Sequence, residues 1–132
     1  MTNEELMTLA EEAMGRSYSP YSNFKVGAAL LSCDGKVYTG TNIENVSYGL
    51  SVCAERNAMF SAVGQGQKCF TKLALITEAE TIVTPCGACL QVLKEFADDL
   101  EVTIKWKNGI KKVTLKQLLP MAFEYDLKEG NK

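Results

Sequence analysis

Three cysteines occur at a spacing that suits the binding of one metal ion. Cys86 and Cys89 lie three residues apart in the segment TPCGACL, and Cys53 lies in the segment SVCAER. On the opening turn of a helix, two cysteines at this spacing face the same side and can share an ion. Three thiolates form a zinc shell that leaves a fourth position open for water, as catalytic zinc sites do. The absence of histidine from the chain is consistent with ligands that are all sulfur.

An acidic residue stands next to these cysteines. Glu55 follows Cys53 by two positions, so its carboxylate can reach a metal site there without being a ligand. Such a carboxylate can take a proton from zinc-bound water and pass it on. Cys, one residue and Glu, followed later by Pro-Cys-x-x-Cys, is the all-cysteine form of the zinc deaminase pattern. We therefore predict a zinc hydrolase in which Glu55 carries protons.

Arg56 is the cation nearest to this acid in the sequence. Three thiolates leave a zinc site with a net charge of about −1, which makes the metal a weaker Lewis acid. The positive field of two helix N-termini, at which Cys53 and Cys86 are expected, offsets part of this charge. We predict that Arg56 offsets more of it by donating hydrogen bonds to the ligand sulfurs.

Each of these features also has a simpler explanation when it is taken alone. A Cys-x-x-Cys pair is also typical of a redox pair or of two buried thiols, and a glutamate in the first turn of a helix is common for electrostatic reasons. The matched spacing of the two motifs favours the metal site. Cys33 and Cys69 lie outside a paired motif. We predict a structural role for them as thiols, because disulfides are rare in the cytosol.

The hydrophobic pattern predicts the elements that position these motifs. They are a helix over 3–14, strands over 25–33 and 36–44, a helix over 54–63, a strand over 72–77, a helix over 87–100, strands over 101–106 and 110–115, and a helix over 115–120. Asp34-Gly35 and Asn108-Gly109 are predicted hairpin turns, with positive φ angles at Asp34 and Gly35. This order favours a mixed sheet between helices. The first cysteine of each motif then lies at a strand-to-helix junction, where such sheets bind ligands.

Composition and charge exclude several classes of function. The chain has 132 residues, a length that suits one domain over 1–132. The formal net charge of −2 argues against a nucleic-acid partner, which requires a surplus of Lys and Arg. No segment approaches the run of about eighteen apolar residues that a membrane span needs, and the acidic start lacks the features of a signal peptide. We expect a cytoplasmic protein with no membrane or nucleic-acid partner.

The chain resembles the cytidine deaminases of the small, homotetrameric, zinc-dependent type. The resemblance extends from about Glu5 to Leu127 and includes SPYSNFKVGAALL, GTNIEN, CAER, PCGAC and LLPMAF. It implies a three-layer α/β/α fold around a five-stranded mixed sheet, with one zinc ion per chain. It also implies hydrolytic deamination of cytidine and deoxycytidine to uridine and deoxyuridine plus ammonia, a reaction of pyrimidine salvage.

The resemblance assigns four residues to the nucleoside. By analogy, Phe24 packs against the nucleoside, and Asn42 and Glu44 form hydrogen bonds with the ribose hydroxyls. Ala54 meets the edge of the base through its backbone. Without the resemblance, Phe24 would be assigned to the core, and the two polar residues would be ordinary groups at a strand end.

The resemblance also assigns residues to the contacts between subunits. By analogy, Phe123 enters the pocket of a neighbouring subunit, and Tyr48 contributes across an interface. One position departs from the family pattern, because Leu90 stands where the family usually has an arginine after the second cysteine of the motif. A positive charge near the metal or an interface is therefore missing. Arg56 must then offset more of the negative charge of the thiolates.

Two alternatives remain open from the sequence. A related deaminase acts on another aminopyrimidine, such as blasticidin S, although the ribose contacts implied by the segment NIEN would then have no purpose. The other alternative is an inactive, zinc-stabilised binding module.

Overall fold

A five-stranded sheet with helices on both faces forms the framework of the protein. The computed structural model describes residues 1–125, so the last part of the resemblance, up to Leu127, and the predicted domain end at 132 lie outside the described residues. The elements are α1 (Asn3–Met14), β1 (Val26–Ser32), β2 (Val37–Thr41), a 3-10 turn (Tyr48–Leu50), α2 (Ala54–Gly64), β3 (Phe70–Thr77), α3 (Gly87–Phe96), β4 (Glu101–Trp106), β5 (Gly109–Thr114) and α4 (Leu115–Leu118). Apart from the short 3-10 turn, this order is the predicted one.

The strand order places the two cysteine motifs at one edge of the sheet. The order is β2-β1-β3-β4-β5, and among these five described strands only β3 and β4 pair in parallel. Because β2 and β3 are both antiparallel to β1, they run in the same direction and end at the same edge. Helix α2 follows β2, and α3 follows β3. Both helices therefore begin near the edge at which these strands end.

Alternating side chains of β1 build the two sides of the core. Ala28 and Leu30 pack with buried residues of α2 and α3, whereas Ala29 and Leu31 pack with those of α1. The predicted three-layer α/β/α fold with a five-stranded mixed sheet is confirmed. Among residues 1–125, no helix combines the length and the apolar character needed to cross a membrane.

A close approach between β2 and α2 sets the position of the first motif. A Cβ atom at Gly40 would overlap the backbone of Ala54 and Ala58. Glycine allows the helix to lie directly against the strand, since any side chain there would push the two apart. The start of α2, which carries Cys53 and Glu55, is thereby fixed against the sheet.

The predicted helix over 3–14 is confirmed, and Thr2 caps its N-terminus. The Thr2 hydroxyl accepts the N–H of Glu5, and the Glu5 carboxylate accepts the N–H of Thr2. This capping box satisfies donors that the first turn leaves free.

Both hairpin turns differ in detail from the prediction. Gly35 has φ of 90° but Asp34 is not among the positive-φ residues of the described chain, because the Asp34 carboxylate accepts the Lys36 N–H at 3.1 Å and closes the turn locally. In the second hairpin Gly109 is the first strand residue and pairs with Trp106, so the turn is Lys107-Asn108. The Trp106 ring lies against Gly109, where a Cβ atom would be 2.7 Å from it.

Helix α3 is shorter than predicted. It ends at Phe96 rather than at residue 100, and Ala97 is extended with φ −145° and ψ 131°. Asp98 and Asp99 follow, and two carboxylates are unfavourable at the negative end of a helix dipole. The charge pattern after Phe96 explains the earlier end.

The prediction that Cys33 and Cys69 are thiols is wrong. The two residues form a disulfide, with their Cα atoms 5.4 Å apart, and both are exposed. Cys33 follows β1 and Cys69 precedes β3, and the pairing of Ser32 with Phe70 places these two ends side by side. The Cys33 N–H also donates to the Cys69 carbonyl oxygen at 2.9 Å. The pairing of β1 with β3 therefore creates a contact that the linear spacing does not reveal.

Candidate active site

Three cysteine sulfurs converge where α2 and α3 begin. Cys53 and Cys86 are the N-cap residues of the two helices, and Cys89 lies in the first turn of α3. The three Sγ atoms lie within 4.8 Å of one another, and those of Cys86 and Cys89 are 3.4 Å apart. The Cys86 sulfur also accepts the Cys89 N–H at 3.5 Å, which fixes it toward the other two.

The sulfur cluster has the size and chemistry of a zinc site. Zn–S bonds of about 2.3 Å in a tetrahedron place sulfurs about 3.8 Å apart, a distance between the 3.4 Å of the Cys86–Cys89 pair and the 4.8 Å limit of the cluster. A hydrogen bond from Cys89, together with the nearby Arg56, lowers the pKa of Cys53 to about 5. The same bond and burial raise the pKa of Cys89. Without a metal, Cys53 therefore loses its proton more easily than Cys89. A bound divalent cation would favour the thiolate form of both, since thiolates are the form that binds soft metals.

Arg56 lies against this cluster. Its Nη2 atom donates to the Cys53 sulfur at 3.6 Å, and this contact is the largest cause of the raised pKa of Arg56. The Nε atom of Arg56 is buried without a hydrogen-bond partner in the described part of the chain. The guanidinium therefore places a permanent positive charge directly beside one sulfur of the cluster.

Glu55 is a buried acid at the same place. Its side chain is 5% exposed in the first turn of α2. Burial raises the pKa of Glu55 to about 7, and the neighbouring Cys53 thiolate adds to this shift. A carboxyl group with a pKa near neutrality can both accept and release a proton.

A cavity of about 250 Å³ joins the acid, two of the cysteines and the predicted nucleoside residues. Five residues singled out from the sequence besides the cysteines line it: Phe24, Asn42, Glu44, Ala54 and Glu55. Sequence reasoning missed seven lining residues: Val26, Ser51, Val52, Leu75, Thr77, Val83 and Thr84. Four of them carried a signal in the sequence: Ser51 and Val52 directly precede Cys53, and Val83 and Thr84 directly precede the Pro-Cys-x-x-Cys motif. The others face the cavity because of strand register and loop path.

The Asn42 amide holds the chain at the mouth of the cavity. Its Nδ2 atom donates to the Phe24 carbonyl oxygen at 2.6 Å, and its Oδ1 atom accepts the Val26 N–H at 3.0 Å. Ser17 donates its hydroxyl to the same Oδ1 at 2.6 Å. One N–H of the amide is left without a protein partner among the described residues, so Asn42 keeps one donor for a ligand.

The Glu44 carboxylate organises the loop that carries Phe24. It accepts the N–H groups of Tyr21 at 3.0 Å and of Ser22 at 3.2 Å, as well as the Ser22 hydroxyl. The hydrogen bond from the Ser22 hydroxyl is the main cause of the lowered pKa of Glu44. Asn23 follows with φ of 58°, a left-handed conformation that asparagine tolerates. The loop thereby turns so that Phe24 lines the cavity.

Tyr48 and Phe123 do not line this cavity. Tyr48 is 74% exposed, and its ring packs edge-on against that of Tyr21 at 5.9 Å. Phe123 is 76% exposed, and its backbone is bonded to Gln91. Their placement in a neighbouring subunit stays a prediction.

Leu90 occupies a core position. It is 7% exposed and belongs to the apolar cluster between the sheet and helices α2 and α3. No positive charge replaces the missing arginine at this position, and the leucine side chain adds to the core instead.

Comparisons with known proteins identify the family. The family model for the cytidine and deoxycytidylate deaminase zinc-binding region matches residues 1–104. A cytidine deaminase from Sporosarcina psychrophila is 45% identical, covering 93% of this chain and 92% of its own. The crystal structure of cytidine deaminase from Burkholderia pseudomallei has a TM-score of 0.89 at 46% identity, covering 93% of this chain and 100% of its own. A blasticidin-S deaminase from Bacillus cereus is 29% identical, covering 90% of both chains. The resemblance found in the sequence is confirmed, and the chain belongs to the cytidine and deoxycytidylate deaminase family.

Proposed function

We propose that the protein is a zinc-dependent cytidine deaminase that hydrolyses cytidine and deoxycytidine to uridine and deoxyuridine with release of ammonia. The observation that supports this most directly is the buried Glu55 carboxyl group, whose pKa is raised to about 7, in a cavity that also contains two of the clustered sulfurs. An inactive binding module has no need for a buried acid at that place, because burial of a carboxylate is unfavourable.

One zinc ion per chain is held by Cys53, Cys86 and Cys89. When bound, zinc supplies a Lewis acid that makes water a nucleophile near neutral pH. Arg56 withdraws charge from the Cys53 sulfur through its hydrogen bond of 3.6 Å. The two helix N-termini act in the same direction on the sulfurs of Cys53 and Cys86, which occupy the N-cap positions.

Glu55 moves the protons of the reaction. Its carboxylate accepts a proton from the attacking water and delivers it to N3 of the cytosine ring, while the water oxygen bonds to C4. Glu55 then takes the proton of the new C4 hydroxyl group and delivers it to the amino group, and the C4–N bond breaks to release ammonia and leave the C4 carbonyl of uridine. A pKa near 7 suits both directions of proton transfer at neutral pH.

The rest of the cavity orients the nucleoside. Phe24 packs against it, and the backbone of Ala54 meets the edge of the base. Asn42 donates its remaining N–H to a ribose hydroxyl, and Glu44 accepts a hydrogen bond from one, since a carboxylate oxygen can accept two bonds.

Charge favours a nucleoside over a nucleotide. Two carboxyl groups, Glu44 and Glu55, line the cavity, and no Lys or Arg is among the described residues that line it. A phosphate would meet like charge without a compensating cation. The free nucleoside is therefore the substrate, although the family also includes deoxycytidylate deaminases.

We further propose that residues 1–132 form one domain, that four copies assemble into a homotetramer, and that the enzyme serves pyrimidine salvage in the cytoplasm. The exposed rings of Tyr48 and Phe123 support the assembly, because aromatic residues are enriched in the buried centres of protein interfaces. In the tetramer both rings contact a neighbouring subunit.

A direct assay tests the function. The purified protein is incubated with cytidine, the ultraviolet band of cytosine is followed, and zinc is counted per chain. Glu55→Gln is expected to keep zinc and the fold but to lose turnover by about 10²–10⁴-fold, whereas the exposed Glu12→Gln serves as a matched control with full activity. Deoxycytidine, cytosine, cytidine monophosphate and blasticidin S are compared in the same assay. Substantial activity of Glu55→Gln, or turnover of blasticidin S alone, contradicts the proposal.

A further inference from the structure

Gln91 connects the helix that carries two of the cysteines to the chain beyond α4. It follows Cys89 by two positions on α3. Its Nε2 atom donates to the Phe123 carbonyl oxygen at 2.8 Å, and its Oε1 atom accepts the Phe123 N–H at 3.3 Å. Nearby, the Lys94 Nζ atom lies 3.5 Å from the Glu124 carboxylate. The backbone of Phe123 is thus held to α3 at two points by one side chain.

These contacts do not serve to bury the Phe123 side chain. The ring is 76% exposed, and Met121 nearby is 91% exposed. Apolar burial therefore does not account for where these two side chains stand. The polar contacts to the backbone instead hold the ring at a defined place on the surface.

The side-chain amide of Gln91 suits the two hydrogen bonds to the Phe123 backbone. It offers a donor and an acceptor side by side, which is what one residue's C=O and N–H groups require. A glutamate at position 91 would set a carboxylate oxygen against the Phe123 carbonyl oxygen. An alanine would leave both backbone groups to water.

We propose that Gln91 is a positioning residue, which fixes Phe123 relative to α3 so that its ring closes the nucleoside pocket of a second copy of the chain. This inference rests on the proposed function and assembly. Phe123 does not line the pocket of its own chain, and the proposed assembly brings its ring to the pocket of another copy. The pocket offers the ring an apolar edge, because Phe24 is 37% exposed there and Val52 and Val83 also line the cavity.

A double-mutant cycle tests the inference. KM and kcat for cytidine are measured for the wild type, Gln91→Ala, Phe123→Ala and the double variant. Gln91→Ala is expected to raise KM by about tenfold and to change kcat by less than about threefold, in the same pattern as Phe123→Ala. Because Gln91 acts through Phe123, the double variant is expected to be no worse than Phe123→Ala alone.

Two further variants separate positioning from damage to the fold. Gln91→Glu has the same shape and keeps the acceptor but loses the donor, so it is expected to raise KM as well. Glu95→Ala, an exposed change on the same helix, is expected to leave KM unchanged. Circular dichroism and zinc content are expected to match the wild type in all variants.

The outcomes distinguish this inference from the function on which it rests. A wild-type protein that does not turn over cytidine overturns the proposed function and this inference with it. An active wild type with unchanged KM in both Gln91 variants, or with additive effects in the cycle, overturns the inference alone.

Discussion

The five cysteines of the chain form two groups that lie at opposite edges of the sheet and differ in whether they form a disulfide. Three sulfurs meet within 4.8 Å at the edge where β2 and β3 end, and none of them forms a disulfide. Cys33 and Cys69 meet at the other edge, where β1 ends and β3 begins, and form a disulfide. The same side chain therefore becomes a candidate metal ligand or a covalent link, depending on the elements that carry it.

The difference lies in the backbone that presents each sulfur. Cys53 and Cys86 cap helices, and helix N-termini favour the thiolate, which binds metals. Arg56 adds a positive charge beside one of these sulfurs. The strand ends that carry Cys33 and Cys69 provide no such field, and their Cα separation of 5.4 Å is within the range that a disulfide bridges.

Loss of one candidate ligand is expected to have the largest effect. Cys89→Ala removes a sulfur from the cluster, so zinc content and cytidine turnover are both expected to fall to background. Zinc analysis and the ultraviolet assay measure the two losses. Cys69→Ser, a change in the other group, is the matched control and is expected to keep both. Full zinc content in Cys89→Ala would show that Cys89 is not needed to bind the metal, which contradicts the division of the cysteines into metal ligands and disulfide partners.

Removal of the cation beside Cys53 is expected to have the next largest effect. Arg56→Ala is expected to lower activity by about 10–100-fold. The acidic limb of the profile of kcat against pH is expected to move to higher pH, because the site loses a positive charge that favours deprotonated groups. Arg56→Lys keeps a positive charge but loses the planar donor group, so its activity is expected to lie between those of the wild type and Arg56→Ala. An unchanged pH profile in Arg56→Ala speaks against the role proposed for Arg56.

Opening the disulfide is expected to affect stability and to spare catalysis. The bond closes a loop with a sequence separation of 36, and its loss in Cys33→Ser is expected to cost about 3 kcal/mol, or about 10 °C in Tm. Activity at 25 °C is expected to stay within about twofold, because surface sites far from the chemistry act mainly on stability. Thermal unfolding at equal protein concentration measures the effect.

Two comparisons verify that loss of the disulfide itself causes the decrease in Tm. The double variant with Cys69→Ser is expected to be no less stable than either single variant, and reduction of the wild type is expected to lower Tm by the same amount. After denaturation and chelation without reductant, thiol titration is expected to find three thiols per chain. Five thiols in protein purified under oxidising conditions would show that the two groups do not differ.

The smallest expected effect concerns Asp34, which lies next to the disulfide. Hydrogen bonds from Ser32, Gln67 and the Lys36 N–H lower the pKa of Asp34 to about 2. A carboxylate whose pKa is lower in the folded state adds stability above its unfolded pKa, and this stability is lost as pH falls toward 2. The Tm of the wild type is therefore expected to decline more than that of Asp34→Asn between pH 4 and pH 2. Parallel Tm curves would exclude this contribution.

Local sequence patterns predicted the elements and most of the site. The length of α1 follows from the helical period, which acts within a few residues. The spacing of Cys86 and Cys89 likewise predicted two sulfurs on one helical turn. Where the prediction erred, as at the end of α3 and in the two turns, neighbouring charges and side-chain hydrogen bonds overrode the simpler signals.

By itself, the sequence determined which side chains are the candidates for the chemistry, because the motifs around Cys53 and Cys86 are short and their geometry is local. Only the tertiary structure decided that Cys33 bonds Cys69, that Leu75 and Val26 form cavity walls, and that Gln91 holds Phe123. These contacts depend on the register between strands and on where separate segments meet. That information is absent from linear spacing, since residues far apart in the chain become neighbours only when the sheet assembles.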